Sequence, residues 1–290
     1  MLGVHVTKES HVLDDKSTAV DLSDAILRDL GELELNCAQV FTHGPRFVVP
    51  NKLDYQAIKD AAKDIDLSVH SAYPTTSIWK LAGTTSEQDK KRLDTLKIQL
   101  VSCVKIGAWG LVLHINKIYP DEAANVMHMI KPFVKKSKVK LILEMVSSKA
   151  DANKTYETPE KIDNLTTLIG AEETWWGWCI DTAHLWGAGI DIKSYESMKS
   201  WLNRLIYKKK ISMFHLNGSS AVRGSGQDKH EIAFGPDDLI WRGIKPENSG
   251  VRAIVEFAEA RSIPIICEIN RGTEKNVKKS IEVIKKLFKD

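Results

Sequence analysis

Paired cysteines are missing from this chain. Cys37, Cys103, Cys179 and Cys267 stand far apart and none shares a C-x-x-C spacing, so neither a thiolate zinc site nor a disulfide framework is indicated. Long apolar runs are missing too. Nothing approaches the roughly 18 residues of a membrane span, and the opening MLGVHVTKESH lacks a basic stretch leading into an apolar one. The expectation is a soluble, intracellular protein with no membrane partner. An excess of one charge sign is missing as well, the formal net value being +3, which by itself argues for no polyanionic partner. Gly and Pro are near average and no low-complexity tract occurs. With 43% hydrophobic side chains over 290 residues, the chain can bury one large core, and we expect a single domain over 1–290.

What is present is a regular alternation. Strand-like runs fall near residues 2–6, 37–42, 66–70, 110–114, 139–144, 177–181, 211–216 and 263–268. Helical periodicity fills stretches between them, as in AVDLSDAILRDLGEL, LDYQAIKDAAKDI, SEQDKKRLDTLKIQLVSCVKIG, DEAANVMHMIKPFVKK and ESMKSWLNRLIYK. Ser86, Thr158 before Pro159, and Asn248 or Ser249 offer N-caps. Eight strands alternating with helices predict an α/β fold, a (β/α)₈ TIM barrel, whose functional groups sit at the C-terminal strand ends and in the loops beyond them. The long connections 71–85, 145–157 and 217–247 are then binding loops, the last folding back over the pocket.

Six of the runs end in a residue that ligates metals: His70, His114, Glu144, Asp181, His215 and Glu268. His184, Asp228 and His230 follow close behind two of them. Any one histidine at a strand end can be explained as a cap on a backbone carbonyl. Glu144 and Glu268 are harder to explain so, because a carboxylate directly after LIL or IIC requires a partner in a packed barrel mouth. Imidazoles and carboxylates without thiolate form the donor set of a hydrolytic zinc or manganese site. Nine of them exceed the needs of one ion, which points to a multinuclear metallohydrolase, and paired ions suit phosphodiester cleavage. His5 reads as a supporting residue beside the ligands, and His11, His43 and His128 as outside the site. Trp79 and Trp186 are the tryptophans placed to touch a substrate. Lys135, Lys136 and Lys208 to Lys210 read as solvated helix ends, with a phosphate-facing rim as the alternative.

Taken in order, GVHV, AQVFTHGPR, VHSAY, LVLH, LILE, CIDTAHLWGAGID, MFHLN with GSGQDKHE, and PIICE resemble the endonuclease IV family of apurinic/apyrimidinic endonucleases, AP endonuclease family 2. The form of AQVFTHGPR and CIDTAHLW is similar to copies carried by large DNA viruses. The resemblance implies a barrel with three zinc ions and DNA-binding loops at its C-terminal face. It implies incision of the phosphodiester 5′ to an abasic site, leaving a 3′-hydroxyl and a 5′-deoxyribose phosphate, with removal of blocked 3′ ends as a companion activity in base excision repair. His70, His114 and Glu144 would hold the first ion, with Glu144 bridging to a second completed by Asp181, His215 and Glu268. His184, Asp228 and His230 would hold the third. A hydroxide between the first two ions would attack the phosphate in line, with Glu144 or Glu268 orienting or deprotonating it, and the third ion would stabilise the departing oxygen. Arg46 and Tyr73 would enter the DNA at the lesion.

The implied partner is double-stranded DNA with abasic sites or blocked 3′ ends, bound by a monomer in the cytoplasm or nucleus, or in the virion for a viral copy. Three divalent ions would carry the formal charge from +3 to +9, concentrated where the substrate binds. Departures from the family pattern lie in the loops: Ile-Asn after His114, Pro74 beside Tyr73, and EMVSSKADANKTYETPE after strand five. Two other readings are a xylose isomerase-like sugar isomerase or epimerase and a DNA-binding barrel without catalysis.

Overall fold

A computed structural model of the chain describes residues 1–7, 21–43, 46, 53–115, 117–147, 151–268 and 274–288. Eight parallel strands close into a barrel in the order β1 (Leu2–Val6), β2 (Cys37–Val40), β3 (Asp66–His70), β4 (Gly110–Ile115), β5 (Lys140–Met145), β6 (Trp176–Asp181), β7 (Ile211–His215) and β10 (Ile265–Cys267), which pairs back to β1. Helices α1 (Leu22–Leu33), α2 (Tyr55–Ala61), α3 (Glu87–Ile106), α4 (Pro120–Ser137), α5 (Pro159–Ile169), α6 (Thr182–Gly187), α7 (Tyr195–Arg204), α8 (Gly250–Glu259) and α9 (Glu274–Leu287) follow the strands. The expected (β/α)₈ barrel is therefore the fold, with strand ends within a residue or two of those read from the sequence. No helix among the described residues is long and apolar enough to cross a membrane.

The alternation of strand side chains divides the molecule into two apolar regions. Outward residues such as Leu111, Leu113, Leu141 and Leu143 pack beneath the helices in the larger core. Inward residues Cys37, Val112, Ile142, Cys179, Met213 and Ile266 form a second cluster inside the barrel. The bore narrows at Gly3, where a Cβ would lie 2.3 Å from the Cys37 carbonyl, and at Gly177, where it would lie 2.1 Å from Ser212 Oγ. These close approaches explain why both positions lack a side chain.

One step further along each strand, the same period of two selects His5, Gln39, His70, His114, Glu144, Asp181, His215 and Glu268. Every strand, or the residue just past its end, contributes one polar group to this upper layer. Direct cross-strand partners include His5 with Gln39, His114 with Glu144, and Asp181 with His215.

Two of the long connections and two of the helix caps take definite form. Residues Tyr73–Lys80, within the connection 71–85, form a 3₁₀ turn with Pro74 near its start and Thr76 Oγ1 donating to the Tyr73 carbonyl at 2.7 Å. Ser86 caps α3 through the Asp89 amide, whereas Ser249 precedes α8 but donates its hydroxyl to the Pro246 carbonyl. Residues 217–247 do return to the barrel mouth, as a hairpin of β8 (Gly218–Ser219) and β9 (His230–Glu231).

The lysine clusters do not rim the cleft. Lys135 and Lys136 end α4, which leads into the start of β5, and Lys208 to Lys210 precede the start of β7, so both lie at the N-terminal end of the barrel. Lys210 is buried and donates to the Glu173 and Trp176 carbonyls at 2.6 and 3.0 Å. Burial, with the nearby Lys140 charge, pushes its amine down to about 7 from 10.5. The unfolded chain then holds a proton that the folded protein sheds, so stability rises between about pH 7 and 10.5. Lys210→Met should lose about 1–3 kcal/mol by leaving two carbonyls unpaired. Thermal unfolding at pH 6.5 and 9 should show the unaltered protein gaining relative to the variant; a constant difference would contradict the assignment.

Candidate metal centre

The upper layer brings together the residues that the strand ends promised. His70 Nε2, His114 Nε2 and Glu144 Oε2 form a triangle with edges of 3.2, 3.2 and 3.1 Å. Donors 2.0–2.1 Å from a tetrahedral zinc are about 3.3 Å apart, so the triangle matches one face of such a site. The other Glu144 oxygen, Oε1, points the opposite way, 3.3 Å from His215 Nδ1. That nitrogen also faces Glu268 Oε2 at 3.5 Å and Asp181 Oδ2 at 3.7 Å. A third group forms where α6 leaves β6: His184 Nε2 and His230 Nε2 both face Asp228 Oδ1, at 3.2 and 2.8 Å. Asp181 Oδ2 lies 3.8 Å from His230 Nε2 and so stands between the second and third groups, as Glu144 stands between the first and second.

Hydrogen bonding on the far side of three imidazoles decides which nitrogen faces this cluster. His70 Nδ1 lies 2.9 Å from the Ser71 carbonyl, His184 Nδ1 2.9 Å from the Met145 carbonyl, and His215 Nε2 3.0 Å from Gln39 Oε1. Each acceptor is a carbonyl, so each of these nitrogens carries the proton and the opposite one presents a lone pair inward. His184 Nε2, His215 Nδ1 and both nitrogens of His230 are buried without a hydrogen bond, and so is Glu144 Oε1. Inward lone pairs facing carboxylate oxygens repel. An arrangement in which donors of one kind converge without protons between them suits cations at their centres.

Electrostatics point the same way. Burial would raise Glu144, but His114 and His215 hold it well below the ordinary carboxylate range. Burial opposes a charge on His184, yet Asp181, Asp228 and Glu144 raise its basicity well above the usual value. Three buried carboxylates, Glu144, Asp181 and Glu268, with the half-exposed Asp228 at their edge, demand positive charge from some source. The donor set, the triangular spacing and the unpartnered lone pairs fit metal cations.

Two residues to which the sequence assigns no role, Asn217 and Gln39, support the ligands. Asn217 Nδ2 donates to Asp181 Oδ2 at 2.7 Å and to Glu268 Oε2 at 3.2 Å, while its Oδ1 accepts from the Glu268 amide at 2.9 Å. Gln39 Nε2 donates to Glu268 Oε1 at 2.9 Å and contacts His5 Nδ1 at the same distance. His5 therefore sits beside the ligands. The signal for Gln39 was its inward parity as the one polar residue in CAQV; Asn217 stood in the quoted HLN without a role.

Other expectations fare variously. Trp79 and Trp186 do not face solvent at the cleft: both are buried and brace its walls, donating to the His114 carbonyl at 2.6 Å and the Ala221 carbonyl at 2.9 Å. At 8% exposure each, the two rings offer a substrate little of their surface. His43 is buried against Thr42, and His128 is exposed and contacts the Leu168 carbonyl; His11 lies outside the described residues. Tyr73 is half exposed, its ring 5.7 Å from that of His114 and 6.2 Å from that of His70. Arg46 is an exposed turn residue, with 44, 45 and 47–52 beside it outside those described.

Asp238 anchors the hairpin that delivers Asp228 and His230. Its buried carboxylate accepts from the amides of Ser219, Phe234, Ile240 and Trp241 at 2.8–3.2 Å, and it occupies the space that a Cβ on Gly218 would need.

The chain matches the family model described as xylose isomerase-like TIM barrel over residues 27–287. It is 31% identical to a "Probable AP endonuclease" of African swine fever virus over 252 residues, covering 81% of this chain and 79% of that protein. A solved structure of "AsfvAP:AG" superposes with a TM-score of 0.83 at 27% identity, covering 99% of this chain and 98% of the other. Endonuclease IV from Thermus thermophilus gives 0.70 at 19% identity over 99% and 98%, a likeness of fold.

Asp238→Ala leaves four buried amides without their acceptor and should cost at least about 3 kcal/mol locally. Hydrogen exchange should show protection lost across residues 217–241 while the barrel strands stay protected. Unchanged protection there would show that the hairpin is held by something else.

Proposed function

Since the chain belongs to the AP endonuclease family of xylose isomerase-like barrels, we propose that it is a zinc-dependent endonuclease of DNA repair that incises the backbone 5′ to abasic sites and also clears blocked 3′ ends. The observation that carries this reading is the triangle of His70, His114 and Glu144, joined through Glu144 to a second group and through Asp181 to a third. Three ions would sit respectively with His70, His114 and Glu144; with Glu144, Asp181, His215 and Glu268; and with His184, Asp228 and His230. When bound, such ions supply Lewis acidity for activating water and for neutralising charge on a phosphodiester.

The protein's own contribution is preorganisation. Asn217 and Gln39 fix both oxygens of Glu268, and carbonyl acceptors fix the tautomers of His70, His184 and His215, so little reorganisation accompanies reaction. Glu144 and Glu268, with lone pairs directed at the centre of the cluster, are the groups placed to orient a nucleophilic water and take its proton. Hydrolysis then adds one water across the P–O bond, leaving a 3′-hydroxyl and a 5′-phosphate on the deoxyribose. Tyr73 stands at the rim beside His70 and His114 as an exposed aromatic, suited to stack where a base is missing. Arg46 is assigned to the same role.

A sugar epimerase barrel uses one or two ions at comparable strand ends. It leaves no task for His184, Asp228 and His230, whose spacing here is that of a third group. Duplex DNA with a tetrahydrofuran abasic analogue should be nicked on its 5′ side by metal-replete protein carrying about three zinc ions, and chelation should abolish the nick. Absence of a nick at full metal loading would sink the proposal. Glu268→Gln should reduce incision by more than the 10–100-fold typical of an outer partner; an unchanged rate would remove Glu268 from the site. Tyr73→Ala should weaken binding to the abasic duplex about tenfold with zinc content intact, whereas lost zinc would make Tyr73 a structural support.

A further inference from the structure

A groove of about 670 Å³ runs along the outer side of the rim next to Tyr73. Its walls come from the 3₁₀ turn after β3 and from the loop after β4, with Pro74, Thr76, Ser77, Lys80 and Lys117 facing it. Both loops lie at the C-terminal end of the barrel, and the groove shares a wall with the candidate site: Trp79 lines the groove and donates to the carbonyl of His114. It is therefore continuous with the structure that holds the first group of donors.

The lining is polar and carries two ammonium groups, Lys80 and Lys117, both exposed. Neither has an ion-pair partner among the described residues, whereas three cations on the adjoining helices do: Arg92 pairs with Asp89 at 2.7 Å, Lys97 with Asp94 at 3.1 Å and Lys131 with Glu173 at 2.6 Å. The carboxylate that does line the groove, Glu122, is turned to the start of α4, where its Oε2 accepts from the Tyr119 amide at 3.3 Å. Lys117 adopts a left-handed backbone with φ 55°, a conformation that a lysine holds at a cost and that places it at the tip of the turn. The Ser77 hydroxyl adds a donor at the floor. Two cations without ion-pair partners and the Ser77 hydroxyl along an open channel match a ligand with anionic oxygens repeated at intervals.

We propose that this groove carries the phosphodiester backbone of the DNA strand flanking the lesion, with Lys80 and Lys117 each contacting a phosphate. The inference rests on the abasic-site reading above and adds the direction in which the substrate leaves the site: from Tyr73 outward between the β3 and β4 loops. These contacts carry no sequence information; they set register and affinity.

The test is the salt dependence of binding. Each phosphate neutralised contributes about 0.9 to the slope of log affinity against log salt. Loss of both contacts in Lys80→Ala/Lys117→Ala should lower the slope by about 1.8, so that a fourfold rise in salt costs the unaltered protein about twelvefold more affinity for an abasic duplex than it costs the variant. Lys135→Gln/Lys136→Gln, at the opposite end of the barrel, should leave the slope unchanged. Zinc content and hydrolysis of bis(p-nitrophenyl) phosphate, too small to reach the groove, should be the same in all three proteins. An unaltered slope in the Lys80/Lys117 variant overturns the groove assignment while leaving the nuclease reading intact. Failure of the unaltered protein to nick the duplex overturns that reading instead, even if slopes differ.

Discussion

Three carboxylates, Glu144, Asp181 and Glu268, are brought to one layer at the top of a barrel with Asp228 at its open edge, and most of the site's construction answers that single constraint. Glu144 and Asp181 are fully buried and Glu268 nearly so, where uncompensated charge is costly. The imidazoles that surround them offer lone pairs as much as protons, because carbonyls on their outer sides already hold the N–H groups. On the proposed reading, positive ions at its centres would neutralise the layer and supply its chemistry, so that one structural requirement and one chemical function share the same atoms.

The barrel supplies the geometry without dedicated machinery. With side chains alternating along each strand, the residue two beyond the last apolar inward position points into the mouth, and eight strands deliver eight such residues. The layer beneath is apolar and tightly filled, with glycines where the bore is narrowest, so the polar layer rests on a rigid floor. What the strands cannot reach is delivered by α6 and by the hairpin of residues 218–231. The third group of donors depends on Asp238, a residue that touches none of them.

Much of this was legible in the sequence because period and chemistry coincided. LVLH, LILE and WCID each end an apolar alternation with a donor, and that pattern alone located β4, β5 and β6 and their inward residues. Gln39 escaped notice because an amide is not a metal ligand, although its parity in CAQV was the same as that of His70 in LSVH. Trp79 and Trp186 misled, since proximity in sequence to a ligand says nothing about which way an indole turns; both satisfied their N–H on a backbone carbonyl and became walls. The lysine runs were ambiguous in one dimension and became clear once the chain's direction through α4 and into β7 placed them at the far end. Lys80 and Lys117 had no signal at all, being 37 residues apart and joined only by the neighbouring loops of a closed barrel.

The central claim is that the cluster is a site for three cations linked through Glu144. Anomalous diffraction from crystals grown with zinc, collected on both sides of the zinc edge, tests it most directly. Three peaks per chain are expected: one against His70 and His114, one against His215 and Glu268 with Glu144 between these two, and one against His184, Asp228 and His230. A single peak, or three that leave Glu144 bound to no ion, would contradict it.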